Sequence, residues 1–470
     1  AAGLTETRIT VPWDADRPRQ LTEKGFLDRM FPKAEAHGIR IIFSVYPTKA
    51  RALASPAAAK EFSGFVALLA RTYPQVSEYI IGNEFNVSRF FQPQFTSACK
   101  GYSGGAYMRL LAASYDALKA VNPAISVSTS VSPRGNDTCS AASNISISPC
   151  RFVHDMGVAF RAMHRMQPSF DEWASHVYPQ QATDPLMKGY PWPNVGVSNL
   201  GRLKQCISDA FEDTAQPTFE RTLRLGQSVA ALKPMSLNLA EVGWQVGVLP
   251  SAKDAYYGKE SVKVTDEASQ AQIYGDLVRF AVCDSAVGSV LFFGLGDEAN
   301  LDRFQSGLVR ADGTRRPSFD SVRNAITETG GDCSGTATEW HPAETVTAAK
   351  ADFQSALGPK PAAQKYWGFQ ATAQEDSTYS AGIFRVAGPN GASGQERAAM
   401  ERSLAGSAAR KPVLSAQGKI KAYWSPIVRF PSRKLTPGYY AYGITIRAAL
   451  NPDRDKLFVS KAFKVGTPRK

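Results

Sequence analysis

The sequence predicts a mixed α/β fold: a parallel barrel of the (β/α)8 kind followed by an antiparallel β-sandwich. Three observations predict it. Short β-branched runs alternate with amphipathic helical stretches from Thr7 to about residue 325, the pattern of βα units around a parallel sheet. Two of those runs end in a carboxylate, Tyr79-Ile80-Ile81-Gly82-Asn83-Glu84 and Leu237-Asn238-Leu239-Ala240-Glu241, and a barrel builds its site at the carboxyl ends of its strands. Beyond Gly330 the alternation gives way to a glycine-rich linker and then to short strands separated by Gly, Pro and Asp.

Residues 7–13 read as a strand. Within 23–37, Phe26, Leu27, Met30, Phe31 and Ala34 recur at helical spacing, and Gly38 ends that helix before the strand 40–47. The helix 57–72 leads to the strand 78–82, the helix 105–121 to the strand 125–130, and the helix 151–166 to the strand 172–178. After a long loop, a helix at 218–232 leads to the Glu241 strand. The helix 267–285 leads to the strand 288–295, and 319–327 forms a closing helix. This succession holds seven strands where a closed barrel has eight, so either a first strand and its helix precede Ala1 or the barrel is irregular at that place.

The domains divide accordingly into a barrel at 1–330, a linker at 331–345 and a β-sandwich accessory domain at 346–470, immunoglobulin-like in type. Tyr439-Tyr440-Ala441-Tyr442-Gly443-Ile444-Thr445-Ile446-Arg447 marks one of its strands, entered through the turn Leu435-Thr436-Pro437-Gly438. No catalytic carboxylate is expected there.

Composition bounds the function. With 470 residues, 43% hydrophobic and 20% charged, the chain has material for two or three domains with sizeable cores. No run of about 18 apolar residues predicts a membrane span, and Ala1 does not open a signal peptide. The six cysteines lack the CxxC spacing of metal sites, so no metal is expected. Their even number, with the Asn/Ser-rich loops around Cys139 and Cys150, favours disulfides in a secreted, extracellular protein over six buried thiols. The net charge of +12 is scattered rather than clustered. Without a Cys/His finger, an RNP-like motif or a basic helix, nucleic acid is not an expected partner. The charge fits an anionic or cell-surface glycan, or reflects an arginine-rich composition alone. No phosphate-binding glycine loop and no GxSxG elbow is present, and no cofactor is expected.

The ordered set of Arg8 on an early strand, Asn83-Glu84 on a middle one, His176-Val177-Tyr178 two strands later and Glu241 on the strand after that resembles the retaining (β/α)8 glycoside hydrolases of clan A. That superfamily contains cellulases, mannanases, galactanases and xylosidases, and the resemblance covers about residues 5–325. It implies a monomeric, cofactor-free glycosidase that cleaves O-glycosidic bonds of a poly- or oligosaccharide by double displacement. Glu84 would be the acid/base and Glu241 the nucleophile, while Asn83 would hold the substrate 2-hydroxyl.

Arg8, an inward cation, needs a carboxylate partner, and Glu241 is the one expected. His176 and Tyr178 alternate on one strand and so face one side, with Tyr178 donating to Glu241. Trp13, Tyr46, Phe85, Trp244 and Phe293 would offer ring faces to sugars, and Asn86 and the loop 179–199 would add cleft wall. Clan members usually carry a Trp on the last strand, where this chain has Phe292-Phe293-Gly294. The alternative is a non-catalytic carbohydrate-binding or cell-surface protein on a degenerate barrel.

Overall fold

The computed structural model describes residues 2–140, 144–211, 214–219, 235–340, 350–357, 367–373, 377–406, 411–420, 426–431, 435–448 and 455–466. The chain divides into two compact units, Ala1–Pro342 and Ala343–Lys470.

The first unit is a curled, all-parallel sheet with its strands in chain order: β1 (Glu6–Trp13), β2 (Arg40–Pro47), β3 (Glu78–Ile81), β4 (Ser126–Ser128), β5 (Glu172–His176), β6 (Ser236–Val242) and β7 (Val287–Phe292). Its helices are α1 (Lys24–Ala36), α2 (Pro56–Thr72), α3 (Ser103–Val121), α4 (Pro149–Ala162), α5 (Leu200–Phe211), α6 (Glu267–Val282) and α7 (Pro317–Thr329). Local chemistry sets several of their ends. Ser55 caps α2 by accepting from the Ala58 N–H, with Pro56 in the first turn. Asp266 caps α6 through the Ser269 N–H, and Gly330 ends α7 in the left-handed conformation at φ 60°. On α2, Phe62, Phe65, Val66 and Leu69 form the buried face.

The curl is visible in its core. Ile42, Ile80, Ala174 and Ala240, from four different strands, meet in one buried cluster with Leu291 packed against it. The two edge strands, β1 and β7, are mostly half-exposed, and no ladder joins them among the described residues. The sheet is therefore a seven-stranded half-barrel, in which residues 2–5 form no strand.

Four strands, β3, β4, β5 and β7, end earlier than their sequence pattern, where the chain leaves the ladder to build the cleft, and β4 also begins one residue later. The helix α5 falls where sequence reading had a loop. The expected helix at 218–232 lies almost wholly outside the described residues.

The second unit contains two antiparallel sheets: β11 (Leu414–Ile420), β10 (Ser377–Val386), β13 (Gly438–Ala448) and β14 (Asp455–Val459), with β15 (Phe463–Val465) also on β13, and a second sheet of β12 (Ile427–Phe430), β9 (Trp367–Thr372) and β8 (Lys350–Leu357). Their inner faces share a core that includes Phe369, Phe430, Ile383, Tyr442 and Ile444. A helix, α8 (Gly394–Leu404), covers the other face of the larger sheet through Met400 against Phe384, Val386 and Ala441. It starts at a Ser393/Glu396 capping box. The Tyr440 hydroxyl donates back to the Thr436 carbonyl at 2.8 Å, fixing the turn into β13.

All six cysteines pair, as Cys99–Cys139, Cys150–Cys206 and Cys283–Cys333. No helix among the described residues is long and apolar enough to cross a membrane.

Candidate active site

At the carboxyl ends of the strands opens a cleft of about 1440 Å³, larger than the roughly 300–1,000 Å³ that suits a small ligand. Three strand ends and the inward side of β1 converge on it. Arg8 stands on β1, and Asn83 and Glu84 follow β3 directly. His176 is the last residue of β5, with Tyr178 just beyond, and Glu241 stands near the end of β6.

Glu84 adopts φ 43°, a left-handed conformation that a residue with a Cβ pays for with about 1–2 kcal/mol. Strain of this kind is found where a side chain must be aimed. The turn is held by the Ser130 Oγ, which accepts the Glu84 N–H at 3.2 Å, and by Gly82, where a Cβ would meet the Phe85 ring at 3.0 Å. The β5–β6 register shifts between Ser175 and His176, so that His176 pairs directly with Glu241. The bulge is what carries the imidazole to the carboxylates.

The His176 Nδ1 lies 2.8 Å from Glu84 Oε1 and 3.4 Å from Glu241 Oε2, in a ring with no solvent exposure. Arg8 donates through Nη1 to Glu241 Oε1 and through Nη2 to Ser44 Oγ and Asn83 Oδ1, both at 2.9 Å. The Tyr178 hydroxyl donates to Glu241 Oε2 at 2.9 Å.

Burial opposes ionisation of Glu241. The charges of His176 and Arg8 and the hydrogen bonds from Arg8 and Tyr178 outweigh it and hold the carboxyl below its usual range. Burial and the Glu241 charge push the Tyr178 hydroxyl well above its ordinary value, so it remains a donor.

Glu84, His176 and Glu241 present ligand atoms within 4.8 Å of one another, a spacing that could also hold a cation. Arg8 already supplies positive charge against Glu241, which disfavours a second cation there.

Of the residues singled out by sequence, Arg8, Tyr46, Asn83, Glu84, Tyr178, Glu241 and Phe293 line the cleft, and His176 lies directly beneath the two carboxylates. Four do not reach it. Trp13 is fully buried, packed edge-on against Phe62, with its indole N–H on the Pro18 carbonyl. Trp244 is buried against Tyr274, its N–H on the Asp184 carbonyl. Phe85 is buried between Phe91 and Tyr107. Asn86 is buried and stitches loops together, accepting from the Ser132 N–H and donating to the Ile147 carbonyl. These four hold the cleft's walls in position and offer it no surface.

Sequence reading missed Ser44 and Ser130, whose contacts depend on the neighbouring strands, and Phe304. That ring is 43% exposed at the cleft and packs on Phe293 and Tyr178, with ring centres 5.1 and 5.8 Å away. Its place in an irregular segment gave no periodic signal.

No family model and no curated protein matches the chain. Among solved structures, the chain is similar to a family 39 glycoside hydrolase from Bacteroides cellulosilyticus at 15% identity, covering 91% of this chain and 76% of that one, with a TM-score of 0.45. A glucosidase from Croceicoccus marinus shares 12% identity over 91% of this chain and 87% of that one, with a TM-score of 0.44. A β-galacturonidase from Eisenbergiella tayi shares 12% identity over 72% of this chain, which spans 46% of that one, with a TM-score of 0.40. Each likeness is too distant to carry chemistry across.

Proposed function

We propose that the protein is a retaining glycoside hydrolase, with Glu241 as nucleophile and Glu84 as acid/base. The observation that supports this most is the pair of carboxylates itself. They come from separate strands, their oxygens lie within 4.8 Å, and Glu241 is held anionic by its neighbours. Retaining enzymes set their two carboxyl groups roughly 5–5.5 Å apart, whereas inverting enzymes need room for a water between them.

In this reading Glu241 attacks the anomeric carbon, and the bond to the leaving oxygen breaks with its electron pair going to that oxygen. Glu84 gives the oxygen a proton. Water then attacks the same carbon, Glu84 takes the proton released, and the Glu241 carboxylate is regenerated. Arg8 and Tyr178 orient Glu241. His176 aligns the two acids, and Asn83, whose Oδ1 is taken by Arg8, keeps its amide N–H for a substrate hydroxyl. Tyr46, Phe293 and Phe304 give sugar rings their flat contacts.

The half-barrel belongs in this reading to the (β/α)8 type found in clan A, and the second unit is an immunoglobulin-like accessory sandwich. The three disulfides favour an extracellular setting, and the molecule acts as a monomer.

The test is turnover of a panel of aryl glycosides. Glu241→Ala should abolish hydrolysis while oligosaccharide binding persists. Glu84→Ala should slow poor leaving groups far more than good ones, which need little protonation. Binding by the wild type without turnover on any member of the panel would contradict the proposal.

A further inference from the structure

The cleft wall beside Glu84 consists of two loops that hold each other. The Ser88 N–H donates to the Ile145 carbonyl across them at 2.9 Å; within the second loop the Asp137 N–H donates to the Ser146 carbonyl at 2.9 Å and the Asn136 N–H reaches Ser146 Oγ at 3.1 Å. The Cys99–Cys139 disulfide ties the same two loops. A wall so cross-linked presents its side chains from fixed positions.

Two arginines stand on it. Arg89 and Arg134 are exposed and line the cleft, and no ion pair involves either among the described residues. The Arg134 Nη1 has only a long contact to the Gln180 carbonyl, at 3.4 Å, and the Arg89 guanidinium lies 5.8 Å from the centre of the Phe90 ring. The acid nearest Arg134 in sequence, Asp137, is engaged elsewhere, accepting from the Ser148 N–H at 2.9 Å and facing Arg151 at 3.8 Å. On the far side of the cleft, Lys263 and Arg303 are accompanied by Glu298 and Asp302, so that side has no dominant sign.

We infer that Arg89 and Arg134 form a subsite for an anionic substituent, a carboxylate or a sulfate, on the leaving-group side of the scissile bond. The inference rests on the reading of Glu84 as the acid: the group it protonates departs on its side, toward these loops. A guanidinium matches the paired oxygens of a carboxylate or sulfate with two parallel N–H donors. The net charge of +12 would favour approach of a polyanionic glycan to the molecule as a whole.

Calorimetry on the Glu241→Gln protein tests it, with hexasaccharides of unsulfated chondroitin, chondroitin sulfate and carboxyl-reduced unsulfated chondroitin. The three share a backbone and carry a carboxylate, both anions, or no charge. The subsite predicts that a charged probe binds at least about ten-fold more tightly than the neutral one at low salt, with a preference that shrinks as salt rises. Adding Arg89→Gln and Arg134→Gln should bring charged and neutral affinities together. Equal affinities without those changes, a preference that survives them, or no binding of any charged probe at millimolar concentration would overturn the subsite. Because the readout is a binding ratio, it stands apart from catalysis. A wild type that hydrolyses no glycoside yet prefers charged probes refutes the enzyme and keeps the subsite, and one that hydrolyses glycosides without that preference does the reverse.

Discussion

The Tyr178 hydroxyl donates to Glu241 Oε2 at 2.9 Å, from a phenol that burial and the Glu241 charge keep protonated. This bond is one of the forces holding Glu241 ionised. Tyr178→Phe removes it, so the Glu241 carboxyl should titrate at higher pH. The acid limb of the kcat/KM profile should then move upward, and kcat/KM at the optimum should fall by about 10- to 100-fold, the worth of a hydrogen bond to a charged group. An unchanged acid limb would separate Tyr178 from the nucleophile.

Trp13 offers a check on the buried aromatics. With its ring enclosed against Phe62, Trp13→Phe should lower stability by about 1 to 3 kcal/mol through lost contacts and a lost hydrogen bond, while KM stays near the wild-type value. Thermal melting and steady-state kinetics measure the two. A raised KM with unchanged melting would mean that the ring meets substrate after all.

A second carboxylate cluster lies at the opposite ends of the strands. Asn238 Nδ2 bridges Glu78 Oε1 at 3.1 Å and Glu172 Oε2 at 2.7 Å, with Arg40 on Glu78 at 2.7 Å. Burial first, then the Glu172 charge, raise Glu78 to about 7 despite Arg40. A carboxyl raised in the folded state binds its proton more tightly there than in the unfolded chain. Its contribution is therefore complete below about pH 4.5 and is lost as pH rises through about 7. Stability should decline across that window by up to about 3 kcal/mol, and Glu78→Gln should flatten the decline. Urea unfolding at several pH values reads this directly. A wild-type profile as flat as the variant's would contradict the assignment.

The parts of this fold that were legible in the sequence are those set by local periodicity. The alternation of β-branched runs and helices located all seven strands of the sheet, because a strand buried on both faces must be apolar throughout, as β3 is from Glu78 to Ile81 apart from its first residue. The residues around Glu241 were legible for a different reason: a buried cation and a buried acid each require a partner, which ties Arg8 to Glu241.

Among the ring faces, Tyr46 and Phe293 line the cleft, and strand parity explains why Trp13 does not. Ile42, Ser44 and Tyr46 share one face of β2, and Tyr46 reaches the cleft. Trp13 is five positions from Arg8, an odd offset that turns it toward α2. The helix α5 was also open to discovery, since Leu200, Leu203, Ile207 and Phe211 fall on one buried face. The bulge beside His176, the left-handed turn at Glu84 and the seat of Phe304 were not, since each arises from pairing between distant segments.

The stereochemistry of the first-formed product tests the central claim most directly. Proton NMR of an oligosaccharide or aryl glycoside during early turnover, before mutarotation mixes the anomers, should show the sugar released with the anomeric configuration of the substrate, as two displacements by Glu241 and water require. Release of the opposite anomer would mean that water attacks directly, and would contradict Glu241 as a nucleophile.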